Sequence, residues 1–457
     1  MANHCRDAAP WGRLLPIAGC VSLAFGGFAY STFAAAKTLV VGSCADDPLY
    51  PNNIRDVVAS AGDLDTVDLS QLSCVDSKIT LNPAKGEIQI KVPNLTIIGS
   101  AVAPITISGS GKNRVFHHLG TGTLNVNDLI LADGVSPGSE GNGGCLASSG
   151  SVNLSHVTVT NCKAQAAVGS GVAARGGGVY AVYGATLVHS TVTENTCDQQ
   201  DTGKPALGGG VFASDGNVVA KYSTVSGNTL GSDNSMGGAI YSHQNVVLLD
   251  STIDRNSAYY GAILANKGAT ILNSTISSNR GVAVLFQDGP NSFVVRNSTI
   301  AFNDNFGVAV NYDQYSAYHS SVDIESSIIA GNSMDLWVLG NGGITVTGSA
   351  NAIKTRVVPM EPFGFVALTG EPCLAPLSNH GGETRTHALL PYSPLIGGGF
   401  AGTAPPPNDQ RGTGFARISD ARIDIGAYER QQNDDLIFYS GLETNTDPSQ
   451  CPLPEES

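Results

Sequence analysis

The sequence predicts an all-β chain of stacked coils, a solenoid, on three observations. A short β-like phrase ending in asparagine recurs at intervals of roughly 20–35 residues, which is typical of repeat proteins. A second phrase, Gly-Gly followed by small and apolar residues, precedes many of its copies. The composition agrees, because 55 glycines and only 14% charged residues favour short strands and tight turns over helices. Each coil of such a chain buries its apolar face against its neighbours.

Residues 1–36 are expected to be a signal peptide. Arg6 and Arg13 precede an apolar stretch, and Ala34-Ala35-Ala36 offers a cleavage site. A retained membrane span is the weaker interpretation, since a proline and glycines interrupt the stretch. Lipidation at Cys20 is also weaker, because the apolar run continues past that cysteine. We therefore expect a secreted, extracellular protein or one at the outer-membrane surface.

The mature chain divides into a cap, a repeat region and a C-terminal segment. In the cap, Asn52 or Asn53 is expected to begin a short helix that buries Ile54, Val57 and Val58. This helix would cover the unpaired edge of the first coil. The predicted boundaries are 37–78 for the N-terminal cap, 79–359 for the β-helix repeats, 360–430 for an irregular C-terminal cap and 431–457 for a tail.

The recurring asparagines are expected to form a structural ladder. Asparagine tolerates left-handed turns and satisfies turn amides, so each side chain would bond to the next coil. The predicted members are Asn161, Asn195, Asn228, Asn256, Asn279, Asn303 and Asn332. The insertions between these asparagines and the following Gly-Gly shorten along the chain, which predicts a graded wall of loops along its first half.

An aromatic column is the best ligand-binding candidate in the repeats. Tyr180, Phe212 and Tyr241 fall on the outward face of equivalent strands, because side chains alternate along a strand. An exposed strip of stacked rings would suit a glycan. The alternative is that the loops fold over the strip and bury it.

Seven cysteines follow residue 36, and an exported chain is expected to pair them as disulfides. We predict Cys44–Cys74 and Cys162–Cys197; the second pair would lie on adjacent coils, about 4.8 Å apart. The alternative is buried free thiols. The partners of Cys145, Cys373 and Cys451 stay open.

The repeats and the C-terminal motifs resemble known families. Gly-Gly-Ala-Ile followed by Thr-Ile-x-x-Asn is similar to the repeats of polymorphic outer-membrane proteins. The stretches Leu374–Leu389, Ser393-Pro-Leu-Ile, Asn408-Asp-Gln-Arg-Gly and Asp424–Glu429 resemble the choice-of-anchor Q family of bacterial surface proteins.

These resemblances imply a right-handed, single-stranded parallel β-helix of the pectin lyase-like kind, in an exported protein with no settled activity. Many members of the family carry an anchor after the last motif. This sequence instead continues with Gln431-Gln432-Asn433-Asp434, so release is expected rather than attachment.

The C-terminal motifs contain a dense set of charged residues. We predict that they form structural ion pairs that close the last coil, since paired Arg and carboxylate groups fix loops well. The alternative is an active site. The set is Asp409, Arg411, Arg417, Asp424 and Glu429.

Charge and motifs limit the partners and cofactors. A formal net charge of −14 argues against nucleic acid, which needs a basic surface. No Cys-x-x-Cys or Cys/His cluster is present, so no zinc site and no other cofactor is expected. Calcium at Asp63, Asp65 and Asp68 is a weaker possibility, because no glycine-bearing loop accompanies them.

The sequence favours a binding or adhesion role toward a polysaccharide or cell-surface glycan, in a monomer without a transmembrane span. One alternative is a polysaccharide lyase or glycoside hydrolase, which needs converging carboxylates. A second alternative is a structural surface protein without a ligand. Of the acidic residues in the repeats, we expect four to be solvated turn charges rather than catalytic groups: Glu194, Asp250, Asp254 and Asp288.

Overall fold

The computed structural model shows a right-handed parallel β-helix, and the predicted fold class is confirmed. It describes residues 35–432 apart from 201–202, 233, 288–291, 312–319, 340–343, 359–371, 392, 401 and 403–404. Most of the expected signal peptide, with Cys20, lies outside the described residues, as do Asp288, Cys451 and the tail from residue 433.

Each full coil passes through three parallel sheets, in the order sheet 2, sheet 1, sheet 3. The 12 strands of sheet 1 are Thr38–Val40, Thr66–Asp68, Leu95–Ile98, Thr123–Asn127, Ser151–Ser155, Ala185–Val188, Val218–Lys221, Asn245–Leu249, Gly268–Leu272, Ser292–Arg296, Ser320–Glu325 and Ile344–Ser349. Sheet 1 thus begins within the segment that was expected to be the cap.

Sheets 2 and 3 have 11 strands each. Those of sheet 2 are Ile88–Ile90, Phe116–His118, Leu146–Ser148, Val179–Ala181, Val211–Ala213, Ile240–Ser242, Ile263–Ala265, Val284–Gln287, Phe306–Asn311, Met334–Leu339 and Arg356–Val357. Those of sheet 3 are Lys78–Thr80, Ile105–Ser108, Leu129–Ala132, Thr158–Thr160, Thr191–Thr193, Thr224–Ser226, Thr252–Asp254, Thr275–Ser277, Thr299–Ala301, Ile328–Ala330 and Ala352–Ile353.

The core is an apolar column inside the coils. Alternate side chains point inward, so that Val225 pairs with Ile253, which in turn pairs with Ile276. All three are fully buried, and each such side chain contributes about 1.5–3 kcal/mol. The column continues from Val41 to Ile353.

The predicted cap helix is present as Ile54–Ser60. The side chain of Asn53 accepts hydrogen bonds from the backbone N–H groups of Arg55 (3.0 Å) and Asp56 (3.1 Å), which satisfies the first turn. The helix packs against the first strand of sheet 2. Two short 3-10 helices, Val75–Ser77 and Pro83–Lys85, follow it.

The asparagine ladder lies in the turn that follows sheet 3. At Asn228, Nδ2 donates to the backbone oxygen of Val192 (3.0 Å) and to Asn256 Oδ1 (2.9 Å), while Oδ1 accepts from the backbone N–H of Asn195 (3.0 Å). The same pattern links the six members Asn195, Asn228, Asn256, Asn279, Asn303 and Asn332.

The prediction that Asn161 belongs to the ladder is wrong. Thr160 pairs with Thr193, so Cys162 rather than Asn161 lies beside Asn195. The backbone N–H of Cys162 accordingly donates to Asn195 Oδ1 at 3.0 Å. Asn161 is exposed at the preceding position with a left-handed φ of 53°. In this coil the repeated phrase therefore ends at Cys162, one residue later than the sequence pattern indicated.

The longer insertions form a fourth sheet of three strands, Lys163–Ala166, Thr196–Gln199 and Thr229–Leu230. This sheet has a small core of its own, in which Cys197 packs among alanines such as Ala164 and Ala206. The expected wall of loops is therefore partly a stacked sheet.

The described cysteines correct one predicted disulfide. The structure pairs Cys44 with Cys74, as the sequence predicted. The predicted Cys162–Cys197 bond is wrong, because Cys197 lies beside Ala164, two residues beyond Cys162. Cys162 pairs with Cys145 instead. Cys197 keeps a buried thiol, and burial raises its pKa to about 12. Cys373 is also disulfide-bonded.

Residues 372–432, here called the strap, cross the outer face of sheet 3. Arg385 Nη2 lies 2.5 Å from Asp254 Oδ2. Gln410 Nε2 donates to Thr252 Oγ1 at 2.9 Å, and the backbone N–H of Ala427 donates to Thr299 Oγ1 at 3.0 Å. The strap thus binds a column of threonines of sheet 3 through polar groups.

The predicted C-terminal ion pairs are only partly formed. Asp409 and Arg411 pair at 2.7 Å. Arg417 is fully buried, but its Nη2 donates to the backbone oxygens of Asp424 (3.0 Å) and Gly426 (2.6 Å) rather than to a carboxylate. The prediction that Arg417 forms an ion pair is therefore wrong, because its guanidinium group binds backbone oxygens.

Glu429 also bonds to the main chain, since its Oε2 accepts from the backbone N–H of Asp424 at 2.8 Å. Burial raises the pKa of Glu429 to about 8 and also raises the pKa of Asp424. Within the described part of the chain, no helix is long and apolar enough to cross a membrane.

Candidate functional site

The outer face of sheet 2 is covered by the chain itself. The column Tyr180, Phe212 and Tyr241 is present, with ring centroids 5.5 and 5.2 Å apart. Phe212 is only 1% exposed and Tyr241 only 6%, because Leu207 and Met236 from the insertions pack against them. The interpretation of this column as an exposed glycan platform is wrong, and its burial under the loops is what the structure shows.

The ring orientation leads to the same conclusion. The planes of Tyr180 and Phe212 differ by 3°, and those of Phe212 and Tyr241 by 17°. Rings stacked in this way use their faces against one another and turn their edges outward. The ring faces between neighbouring members of the column are therefore not available for stacking with a sugar.

The outer face of sheet 3 is covered from Thr252 onward by the strap. Asp254 lies there, fully buried, and contacts both Arg385 and Arg255. Glu194, on an uncovered coil, is exposed in a turn. The structure therefore does not bring these two acidic candidates together.

An open groove of about 760 Å³ lies between the outer face of sheet 1 and the strap. Its floor includes the half-buried side chains of Leu249, Leu272 and Val294. The strap supplies the opposite wall, which includes Phe400 and residues 405–408. Phe400 is 52% exposed, so its ring is available to a ligand.

One row of side chains runs along this groove. The strand register aligns five residues, one from each successive coil: Lys221, Leu249, Leu272, Arg296 and Glu325. Because neighbouring strands are about 4.8 Å apart, the row is about 19 Å long. The groove can therefore receive an extended ligand parallel to the axis of the solenoid.

Asp250 is an acidic residue beside the row, at the coil of Leu249. It follows Leu249 directly, and its Oδ1 accepts a hydrogen bond from Asn273 Nδ2 at 3.1 Å. Burial raises the pKa of Asp250 to about 6. Of the three acidic candidates that the structure describes, Glu194, Asp250 and Asp254, Asp250 lines the groove.

Two more acidic residues, Asp323 and Glu325, lie on the strand at the other end of the row. Arg296 donates to Asp323 Oδ2 through Nη2 (2.5 Å) and Nε (3.2 Å). Glu325 follows Asp323 by two residues on the same strand, so both side chains point outward. Burial raises the pKa of Glu325, and the charge of Arg296 opposes that rise.

Sequence reasoning missed the column at the corner between sheets 1 and 3. His156, His189 and Tyr222 stack there, with ring centroids 4.9 and 5.0 Å apart. All three have left-handed φ values between 47° and 53°, and Asp250 occupies the same register position. The signal was available for two of them, because His189 and Tyr222 come directly before Ser190 and Ser223, which open the repeated phrase Ser-Thr-Val.

The proposed calcium ligands are occupied by local hydrogen bonds. Asp63 Oδ1 accepts from the backbone N–H of Asn94 (2.7 Å), and Asp65 Oδ1 accepts from that of Lys37 (2.7 Å). Asp68 Oδ1 accepts from the backbone N–H of Ser70 (2.7 Å). Among the described residues, no group of three or more His, Cys, Asp or Glu side chains is placed to hold a metal ion.

One comparison with known families agrees with the fold. Residues 153–356 match the family model described as "Right handed beta helix region". The catalytic domain of a GH87 alpha-1,3-glucanase in complex with nigerose is similar at 11% identity, over 69% of each chain, with a TM-score of 0.24. That score supports no conclusion about function. A search of curated proteins finds no match.

Proposed function

We propose that this chain is an exported glycan-binding protein whose ligand occupies the groove on sheet 1. The observation that carries the proposal is the open groove of about 760 Å³, with an apolar floor and polar side chains beside it. Ligand sites combine apolar surface with a few polar groups that fix orientation. Sugars have the matching surface, since they join apolar ring faces to hydroxyl groups.

The polar groups of the groove suit hydroxyl partners. Thr270 and Asn297 offer a hydroxyl and an amide, and Asp250, Arg296 and Glu325 add acceptors and donors. Aromatic rings, of Tyr222 and Phe400, also line the groove. We expect the ligand to lie along the row of side chains rather than across it.

Export belongs to the proposal as well. The disulfides Cys44–Cys74 and Cys145–Cys162 are typical of an oxidising compartment. The signal peptide, membership of the choice-of-anchor Q family and release from the cell remain predictions from the sequence. An adhesion role would follow if the glycan belongs to another surface.

A glycan array with the purified mature protein tests this function. We expect binding of one or more glycans, with neither new reducing ends nor unsaturated products. Phe400→Ser should weaken that binding by about tenfold or more. Tyr183→Ser is the matched control, because Tyr183 is 53% exposed and lies outside the groove. Failure to bind any glycan would reject the proposal.

A second candidate function is glycoside hydrolysis, which one specific observation favours. Asp323 and Glu325 point outward from the same strand with Cα atoms about 7 Å apart, and inverting glycosidases hold their two carboxyl groups about 6.5–9.5 Å apart. Glu325, with its raised pKa, would protonate the leaving oxygen, and Asp323 would activate water. Asp250 is three coils from Glu325, about 14 Å, which is too far to pair with it.

Hydrolysis of bound oligosaccharides distinguishes the two functions. If the protein is a hydrolase, Glu325→Gln should lower the rate by about 100-fold or more while binding persists. Glu194→Gln, which changes an exposed residue elsewhere, should have no effect. Binding without turnover in the wild-type protein would reject the hydrolase and leave the binding function.

A further inference from the structure

The distribution of charge along the groove narrows the class of its ligand. We propose that the groove selects an uncharged, extended glycan and disfavours polyuronates, in which every sugar carries a carboxylate. This inference rests on the proposed glycan-binding function. Four observations of the groove support it.

The first observation is the spacing of the two cations in the row. Leu249 and Leu272 separate Lys221 from Arg296, so the charged residues lie three coils apart, about 14 Å. A polyuronate carries a carboxylate on every sugar, so along a row of about 19 Å it would present more carboxylates than these two cations can pair. Burying a carboxylate without a partner is costly.

The second observation is that both cations already have partners. Lys221 Nζ lies 5.1 Å from the ring centroid of Tyr222, a cation–π distance. Arg296 donates to Asp323 through two nitrogen atoms. A ligand carboxylate would have to compete with these contacts, whereas a hydroxyl group can accept from them without displacing a charge.

The third observation is that the groove already disfavours negative charge. Burial raises the pKa of Asp250 to about 6 and raises the pKa of Glu325, because the carboxylate forms lose hydration there. A further anion beside them meets the same cost and their repulsion. The formal net charge of −14 also lowers the local concentration of polyanions.

The fourth observation is the apolar centre of the floor. Leu249 and Leu272 lie side by side at the middle of the row, and Val294, two residues before Arg296 on the next strand, extends the apolar floor beside it. This surface suits the apolar faces of consecutive uncharged sugars, and Thr270 and Asn297 lie beside it as hydrogen-bonding groups. The row of about 19 Å favours several linked sugars over a single one.

Calorimetric titration with defined hexasaccharides tests the ligand class. The uncharged probes are hexamers of glucose, xylose and N-acetylglucosamine, and the acidic probes are hexamers of galacturonate and mannuronate. At an ionic strength of about 0.15 M, we expect at least one uncharged hexamer to bind about tenfold or more tighter than either acidic one.

A charge-switch variant sharpens this test. Leu272→Lys places a cation in the middle of the row, and Lys221 already occupies the equivalent position two coils earlier, so the coil accommodates a lysine there. We expect binding of the uncharged hexamer to weaken by about tenfold and binding of the acidic hexamers to strengthen. Val188→Lys is the control, since Val188 pairs with Lys221 in the same row but lies outside the groove.

The possible outcomes separate the two proposals. Tighter binding of an acidic hexamer by the wild-type protein would overturn the ligand class and leave glycan binding intact. Equal binding of both classes, or an equal effect of Leu272→Lys and Val188→Lys, would also overturn it. If no hexamer and no array glycan binds, the proposed function itself fails.

Discussion

The outer faces of sheets 2 and 1 are both built from stacked parallel strands, but one is covered by other segments and the other is open. Sheet 2 carries the rings of Tyr180, Phe212 and Tyr241, yet the insertions cover them. Sheet 1 carries leucines with charged residues on either side, and its face stays open beside the strap. The difference teaches that the segments packed over a β-helix decide which face can bind a ligand, whereas aromatic content does not.

The largest expected effect is a difference in the free energy of unfolding between a variant on the covered face of sheet 2 and a variant on the open face of sheet 1. Phe212→Ala should lower the free energy of unfolding by about 3–5 kcal/mol, because Phe212 is buried and its loss leaves a cavity. Leu272→Ala, on the half-buried groove floor, should cost less than about 1.5 kcal/mol. Denaturant unfolding measures both values; similar costs would mean that the groove floor is as covered as sheet 2.

The asparagine turn gives a second comparison between buried and exposed positions. Asn228→Ala should lower the free energy of unfolding by about 2–4 kcal/mol, since it removes the partners of the backbone carbonyl of Val192 and the backbone N–H of Asn195. Asn161→Ala should lower it by only about 1 kcal/mol, the cost of placing alanine at a left-handed φ of 53° in an exposed turn. If the two variants are equally destabilised, the assignment of Cys162 to the ladder is wrong.

These asparagines also show how far the sequence alone could lead. Six ladder members were predictable because each coil repeats the same turn, and a repeated turn leaves a repeated residue. Asn161 was misplaced because a cysteine occupies the ladder position in that coil, and the preceding left-handed position also accepts asparagine. The same shift of register produced the wrong Cys162–Cys197 pair.

The groove was not predictable from the sequence. Its two walls come from residues about 150 positions apart, such as Leu249 and Phe400. The repeat period reports how coils stack, but it does not report where the strap crosses them. For the same reason the column of Tyr180 was recognised correctly as a column, while its burial depended on how the insertions fold.

Glu429 of the strap should make the free energy of unfolding depend on pH. In the folded state burial raises the pKa of Glu429 from 4.5 to about 8. Between these pH values the folded chain therefore holds a proton that the unfolded chain releases, and the free energy of unfolding falls as pH rises. We expect the free energy of unfolding to fall by at most about 1.4 kcal/mol for each pH unit in this range.

Glu429→Gln should flatten this pH dependence, and Glu194→Gln, at an exposed turn, should not. Unfolding curves at several pH values between about 5 and 8 measure the slope. A slope that Glu429→Gln leaves unchanged would show that the strap does not bury this carboxyl group.

The smallest effect concerns the insertions that cover sheet 2. Cys197 is buried beneath them, and burial raises its pKa to about 12, so the thiol should resist alkylation in the folded protein. Mass spectrometry after alkylation should find Cys197 modified only when the protein is unfolded. Rapid modification of the folded protein would mean that the fourth sheet opens readily.

The most direct test of the central claim is a titration of three proteins with the tightest-binding uncharged hexasaccharide. The proteins are the wild type, Leu249→Ser on sheet 1 and Tyr180→Ser on sheet 2, which change two half-buried residues on different faces. We expect Leu249→Ser to weaken binding by about tenfold or more, and Tyr180→Ser to leave it unchanged. Loss of binding in Tyr180→Ser, with normal binding in Leu249→Ser, would contradict the account and return the ligand to the aromatic column.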